Sequence, residues 1–550
     1  MALELQSTLK DYASKVSPLR ILNTVIKLAK YHRIQSSSEL LEACKQVVED
    51  LAASGLDVKL HVYRGVEGLH EEHGFYEPLG WRIRGLEAYV EERGAWKLIA
   101  SASQNLLYSP AHNPRGVFEG RVCLWSKYSR IPSDCDGVIV LSHDYWRALW
   151  SGAHGVIMTH RGPGVRYYGI FPPAFTRVRL VPALSLEYGK AMDIDGLRVK
   201  IVSDTEFHEP VTPIVRISVG DSSPRVLIVA HICHPKPGAH DNASGVAVAV
   251  EVARLLASSK LNGGVDILLV PEHTGTSMAL WKKVVNPSTV IAGVSLDMVG
   301  ANLSITGGSL LLVHSLYTLP SPLDPLLHRA LYLTVADTTV FRGATRYPST
   351  PFNVTPYTYG SDHDILLSYS IPASLVNEWP DKYYHTSLDT PDKLSPERLA
   401  LIAIAVASTA KILLDRVDNA VSLMEEWYKS ITLIEPWHEA TEVVKRLVSR
   451  GLERSTERTK MVVKGVYEYK PYTRVRGILH PVWLYYKGGS EGARIALMRD
   501  NHPYTGTLPV AIAATGSVKE AVEETMIIHG VKLDNELVED VVRIIGAQGE

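Results

Sequence analysis

Between Ser38 and Ala53, the apolar residues Leu40, Leu41, Cys44, Val47, Val48 and Leu51 fall on one helical face, and Gly55 follows as a stop. Val58, Leu60 and Val62 then alternate with polar neighbours, the pattern of a half-buried strand. After about Pro210 the rhythm changes. Arg225 to Ala230, Val265 to Val270, Val290 to Leu296 and Pro372 to Val376 are short apolar runs, with helical stretches at Ser244 to Leu256 and Ser277 to Val285. Ser244 is a candidate N-cap. Buried apolar strands alternating with helices predict an α/β fold with a mainly parallel sheet sandwiched by helices. The apolar stretch Leu399 to Leu414 is shorter than a bilayer span and contains Lys411, so it reads as a buried helix.

Two segments break this pattern. Residues 67–204 are rich in Gly, Pro, Trp and Tyr with short strand-like runs such as Arg121 to Trp125 and Gly137 to Ser142, and read as an inserted β-rich domain. Gly152 to Met158 reads as a small-residue helix end feeding a buried strand. Residues 419–550 form a third region: Lys445 to Arg476 holds ten Lys or Arg against three Glu, and Gly516 to Gly546 reads as two or three short helices, which fits a small winged-helix-like domain. The α/β core is then 1–66 and 205–418.

The 550 residues are 46% hydrophobic and 21% charged, which is globular composition rather than disorder. Lys plus Arg is 57 and Asp plus Glu 59, a formal net charge of −2, which argues against a general nucleic-acid or membrane-surface binder. Met1 to Lys15 lacks a basic stretch followed by an apolar run, so the expected location is cytoplasmic. Cys44, Cys123, Cys135 and Cys233 form no CxxC pair and imply neither a disulfide framework nor a zinc knot.

Ligands of open α/β sheets bind at the C-terminal ends of the strands. Those ends carry the chemistry here. The run Arg225 to Ala230 leads into His231-Ile232-Cys233-His234 and on to His240-Asp241-Asn242. Val265 to Val270 leads into Glu272-His273, Val290 to Leu296 ends in Asp297, and Pro372 to Val376 leads to Tyr384-His385-Thr386. Imidazoles and carboxylates converging on one edge suit zinc. Singly, His231 reads as a strand-end histidine bonded to a carbonyl, Asp241 as a helix cap and Glu272 as an ion-pair residue. The unpaired burial of a carboxylate such as Asp297 favours the metal.

In order and spacing, Ala230-His231, Gly238 to Gly245 (Gly-Ala-His-Asp-Asn-Ala-Ser-Gly), Leu296 to Gly300 (Leu-Asp-Met-Val-Gly), Gly360-Ser361-Asp362-His363 and Tyr384 to Thr390 resemble the double-zinc leucyl aminopeptidases. That superfamily also holds the glutaminyl cyclases and glutamate carboxypeptidases. The resemblance spans about Ile21 to Arg64 and Pro210 to Leu414. Glu77 to Ile83, Ile232 to Pro235, Lys470-Pro471-Tyr472 and Arg476 to Pro481 resemble a narrower aminopeptidase-like family with an inserted domain and a C-terminal winged-helix domain.

The resemblance implies a metal-dependent aminopeptidase acting on peptides, with one or two Zn2+ ions. Asp241 would bridge two ions, His231 and Asp297 complete one, and His273 and His385 the other, with Glu272 as general base. Two positions depart from the pattern. The usual His-x-Asp reads His231-Ile232-Cys233, which makes Cys233 an alternative ligand; the usual Glu-Glu reads Glu272-His273. His234, emphasised in the narrower family, either replaces or supplements His231. Asp362 and His363 shape the site, Asp389 and Thr390 cap the next turn, and Arg342 to Tyr359 is expected to line the side-chain pocket. Rival readings are another hydrolase or an acyltransferase on the same site, and a non-catalytic peptide-binding or regulatory protein with a decayed metal site. A membrane partner is excluded, nucleic acid is not expected, and a homo-oligomer is left open.

Overall fold

A computed structural model describes residues 1–126, 129–340, 345–348, 350–431, 441–498 and 502–547. The helix Ser38–Ala52 starts where the Ser37 hydroxyl accepts the Leu40 N–H, and it buries Leu40, Leu41, Cys44, Val47 and Leu51. It leads into β1 (Asp57–Arg64). The insert then supplies β2 (Gly80–Glu92), β3 (Ala95–Ser101), β4 (Gly116–Leu124), β5 (Gly137–Val140), β6 (Val156–Met158), β7 (Ala183–Ser185) and β8 (Arg198–His208). The chain returns to the core as β9 (Val211–Val219), β10 (Arg225–His231), β11 (Gly264–Val270), β12 (Val290–Asp297) and β13 (Ser309–Val313). A ribbon of β14 (Asp337–Val340) and β15 (Thr345–Pro348) follows, then β16 (Phe352–Thr355) and β17 (Ala373–Trp379).

The core sheet has eight strands in the order β1-β9-β11-β10-β12-β17-β13-β16. Its centre, β11-β10-β12-β17, is parallel, while β1, β9 and β13 join antiparallel. Every residue of β10, β11 and β12 is buried, as a parallel sheet covered on both faces requires. The helices Gly245–Ala257 and Pro396–Asp415 supply one cover. Parallel register brings the C-terminal ends of the four central strands to one edge, where His231, the loop after Val270, Asp297 and the loop after Trp379 emerge.

The insert forms its own seven-stranded sheet, order β3-β2-β8-β4-β5-β6-β7, with two apolar cores of its own. It is α/β in its second half, where β4 to β7 run parallel and the helix Tyr145–Trp150 connects β5 to β6. The expectation about cysteines is corrected here. Cys123 and Cys135 form a disulfide with Cα atoms 6.0 Å apart, because adjacent β4 and β5 bring together residues whose spacing in the chain carries no such signal.

The described residues of 419–550 contain helices, the longest Thr441–Val463, and no strand that would make a wing. Val475, Ile478, Leu479 and Trp483 share an apolar cluster with Leu227, Val229 and Leu268 of the core sheet, so this region is packed on the core. Its basic stretch is partly spent internally: Arg458 is 4% exposed and donates to the carbonyls of Val290 and Ile291 at 2.7 and 3.1 Å. Among the described residues no helix is long and apolar enough to cross a membrane.

A second docking contact is pH-sensitive. Glu524, on the helix Val518–His529, accepts the N–H groups of Tyr317 (2.5 Å) and Thr318 (3.4 Å) and the Thr318 hydroxyl. Burial lifts its carboxyl to about 7, although those donors and Arg454 pull it down. The folded state therefore binds this proton more tightly than the unfolded state does. Its contribution is most favourable at low pH and is lost as pH rises from the ordinary carboxylate range through about 7. The full loss is on the order of 3 kcal/mol. Glu524→Gln should shrink the drop in melting temperature between pH 5 and pH 8; an unchanged drop would remove Glu524 from the explanation.

Candidate functional site

The strand-end residues meet at one buried point. Asp241 sits at its centre, on the turn between β10 and the helix Gly245–Ala257. Its Oδ1 lies 3.4 Å from His231 Nε2, and its Oδ2 lies 3.3 Å from His234 Nε2 and 3.0 Å from His385 Nε2. Asp297 Oδ1 is 3.2 Å from His231 Nε2. Two donor sets result, His231–Asp241–Asp297 and His234–Asp241–His385, sharing Asp241 through different oxygens.

The chain shapes this turn by close backbone approach. A Cβ on Gly238 would stand 2.3 Å from His234 Nδ1, and one on Gly245 would stand 2.4 Å from the Leu296 carbonyl. Asp389 accepts the N–H groups of His240 and Asp241 at 2.8 and 3.0 Å, so it braces the Asp241 turn instead of only capping its own. His240 is held between Asp381 (2.7 Å) and Glu378 (3.3 Å). Ser244 does not cap its helix through the following N–H groups; its hydroxyl donates to the His240 carbonyl. The Ser361 hydroxyl fixes Asp297 at 2.8 Å.

These residues fit a divalent cation. His231 Nδ1 is bonded to the Cys233 carbonyl at 3.1 Å and His234 Nδ1 to the Pro235 carbonyl at 2.9 Å. Each bond places the ring proton on Nδ1 and leaves a lone pair on Nε2, facing carboxylate oxygens. His234 Nε2 is buried with no hydrogen-bond partner. Lone pairs facing each other at 3.0–3.4 Å in a buried site call for positive charge between them. His385, His273 and Met298 all have left-handed φ, at 57°, 54° and 57°, a concentration of backbone strain common at functional sites.

His273, a ligand in the set the resemblance implies, is brought to the site but stands in neither donor set. Its N–H donates to Asp362, its Nε2 faces Asp364 Oδ2 at 3.6 Å, and its ring stacks on Phe75 with centroids 4.9 Å apart. Those contacts turn the imidazole away from Asp241, and His234 stands with Asp241 and His385 instead. Cys233 joins neither set: its Sγ accepts the Glu272 N–H at 3.1 Å, while its carbonyl orients His231. Gln35, unnoticed in the sequence, donates to the Glu272 carbonyl at 3.1 Å.

The Glu272 side chain is 29% exposed, opening into a cavity of about 670 Å³ that also contains both donor sets. Burial raises its carboxyl to about 7 against the pull of His231 and His273. All three regions of the chain line this cavity: Phe75, Trp146 and Tyr167 from the insert, Ile478 and Val482 from the C-terminal region, and the core. Trp150 of the insert stacks on Tyr485 of the helix Pro481–Lys487, centroids 4.0 Å apart. Of Arg342 to Tyr359, Tyr359 and Thr358 line the cavity, while residues 341–344 and 349 lie outside the described residues.

The model of Peptidase family M28 matches residues 214–410, the stretch that holds β10, β11, β12, β17 and every residue of the two donor sets. Residues 214–410 are a peptidase family M28 domain. BSAP, a zinc aminopeptidase from Bacillus subtilis, superposes with a TM-score of 0.51 at 16% identity over 72% of this chain and 94% of its own. A peptidase M28 precursor from Shewanella amazonensis superposes with a TM-score of 0.54 at 15% identity, over 74% and 96%. At these identities the likeness is one of fold. No curated protein sequence matches. The M28 domain thus supplies the sheet edge and the donor sets, and the two flanking regions complete the cavity around them.

Proposed function

We propose that the protein is a metal-dependent aminopeptidase that removes N-terminal residues from peptides. The observation that carries this reading is the sharing of Asp241: each of its oxygens faces a separate donor set, in a cavity that also holds Glu272. His231, Asp241 and Asp297 would hold one ion and His234, Asp241 and His385 a second. Each set offers three protein donors, which leaves room for water or substrate, as catalytic sites do. Zinc is the first metal to test, given the donors and the zinc of the Bacillus subtilis enzyme. When bound, such ions acidify water and polarise a carbonyl.

The chain's own residues do the rest. Glu272, its backbone held by Cys233 and Gln35, takes the proton from the attacking water and returns it to the departing amine. Asp389 and Ser361 keep Asp241 and Asp297 in place. The insert and the C-terminal helices wall the cavity and favour short peptides.

The test combines elemental analysis of protein purified without chelator with assays on leucyl and phenylalanyl amides and their N-acetylated forms. About two zinc ions per chain and cleavage of only the free-amine substrates are expected. No metal after reconstitution would overturn the reading. Cleavage of acetylated substrates would redirect it to another amidohydrolase, and ammonia release from N-terminal glutamine without peptide shortening would redirect it to an acyltransferase.

A further inference from the structure

Strands β12, β17 and β13 turn one face to the cavity, and their register fixes which residues stand on it. Asp297 pairs with Asn377, which pairs with Leu311; one row deeper, Ser295 pairs with Leu375, which pairs with Val313. Paired residues share a face, and successive residues alternate between faces. Leu310, Leu312 and Val376 accordingly point the other way, into the apolar core that includes the helices Gly245–Ala257 and Pro396–Asp415. Leu311, Val313 and Leu375 join none of the apolar clusters formed by the described residues, and line the cavity instead. An apolar sheet face turned to a cavity, in the same row as a donor-set carboxylate, is a recess for a substrate side chain. It opens beside Asp297. The insert works on the loop of the other donor set: the Tyr167 N–H donates to the His385 carbonyl at 2.6 Å and the Ser387 N–H to the Val165 carbonyl at 2.9 Å.

One polar side chain interrupts this face. Asn377 is half-buried, lines the cavity and stands between Asp297 and Leu311. Its side-chain amide makes no hydrogen bond among the described residues. Other asparagines nearby are spent on the fold: Asn242 donates to the Leu296 carbonyl at 2.9 Å and accepts the Gly245 N–H at 3.0 Å, and Asn353 of β16 donates to the Ser309 hydroxyl at 3.2 Å. The charged neighbour Glu378 lies on the opposite face, paired with His240 and Arg398. The recess holds no Lys or Arg. Of the two arginines that line the cavity, Arg33 is buried and donates to the Ile232 and Gly238 carbonyls, and Arg147 belongs to the insert's helix Tyr145–Trp150.

We propose that Asn377 determines specificity for the substrate's N-terminal side chain, selecting neutral side chains that carry both a donor and an acceptor (glutamine, asparagine, serine, threonine) over apolar ones of the same shape. The inference rests on the aminopeptidase reading above and names its substrate class. Neighbouring strands stand about 4.8 Å apart, so Asn377 is next to Asp297, within reach of the residue that carries the scissile carbonyl. An amide offers such a side chain a donor and an acceptor at once. An apolar side chain in the same place strips water from Asn377 and leaves both of its ends unpaired, which is a cost. A substrate carboxylate finds no cation in the recess. A substrate ammonium finds only Asp297, which the donor set uses.

The experiment compares aminoacyl amides in pairs matched for shape, glutamine with methionine and threonine with valine, on wild type and Asn377→Leu. Metal per chain and kcat/KM are measured, and the released amino acid is identified. Wild type should favour glutamine over methionine, and threonine over valine, by about tenfold, the worth of roughly one net hydrogen bond. Asn377→Leu should bring both ratios to about one or below by losing the polar substrates and gaining the apolar ones, with metal unchanged. Should the leucine variant lose its metal, Asn377→Ala is judged by the same ratios. Wild-type ratios within about threefold of one would overturn the proposal, and so would ratios that the variant leaves unchanged. An equal fall on all four substrates would overturn it too, because Asn377 would then hold a group that every substrate shares. Wild type that binds no metal and cleaves no amide, or that turns the glutamine amide into pyroglutamate derivatives and releases no free glutamine, would sink the aminopeptidase reading itself. A wild type that releases all four amino acids without preference sinks only this inference.

Discussion

Replacing Glu272 with glutamine is expected to lower kcat by about 10²–10⁴-fold while leaving bound metal unchanged. Glutamine matches the carboxylate in size and shape, so the backbone bonds from Glu272 to Cys233 and from Gln35 persist. What disappears is the ability to take up and return a proton. Glu272 belongs to neither donor set, so nothing in the variant removes a ligand. A variant that keeps more than about a tenth of wild-type kcat would mean the proton is handled elsewhere. A variant that loses metal as well would make Glu272 a ligand.

The second large effect separates two histidines that the sequence treats alike. His234→Ala should lower the metal from about two ions per chain to about one and reduce activity by more than the 10–100-fold typical of losing an outer partner of a ligand. His273→Ala should keep the metal, because its imidazole faces Asp364 and Phe75 while His234 faces Asp241. Elemental analysis of both variants decides the matter. Metal lost from His273→Ala and retained in His234→Ala would restore the assignment that the resemblance alone implies.

Much of the M28 domain was legible in advance, for a simple reason. Strands buried on both faces must be continuously apolar, so Arg225 to Ala230, Val265 to Val270 and Val290 to Leu296 stood out, and each is within a residue or so of the observed strand. Parallel neighbours deliver their C-terminal ends to one edge, so His231, Asp241, Asp297 and His385 could be expected to meet, and they do. The helix Ser38–Ala52 and the strand after it were equally plain from their periodicities. The boundaries of the inserted β-rich and C-terminal regions rested on composition, and composition does not say how short helices pack: within the basic run at Lys445 to Arg476, Arg458 is buried against β12.

The residues that escaped notice share a different property. Tyr167, Gln35 and the His273 ring orientation depend on contacts between segments far apart in the chain, and no local pattern encodes which of two adjacent side chains a distant segment will turn. Cys233 is instructive. It stands where the resemblance expects a carboxylate and reads as an alternative ligand, but its backbone carbonyl accepts the His231 proton, a bond that any residue there could make. Residue types and their order along the chain were enough for the fold, the strand edge and the set of metal-binding chemistries, because periodicity and strand direction are local and repeat. The placing of His234 rather than His273 beside Asp241, the brace from Asp389 and the insert's hold on the His385 loop came only with the folded chain. Each is settled by distances of a few ångströms between elements that the one-dimensional pattern leaves free to move.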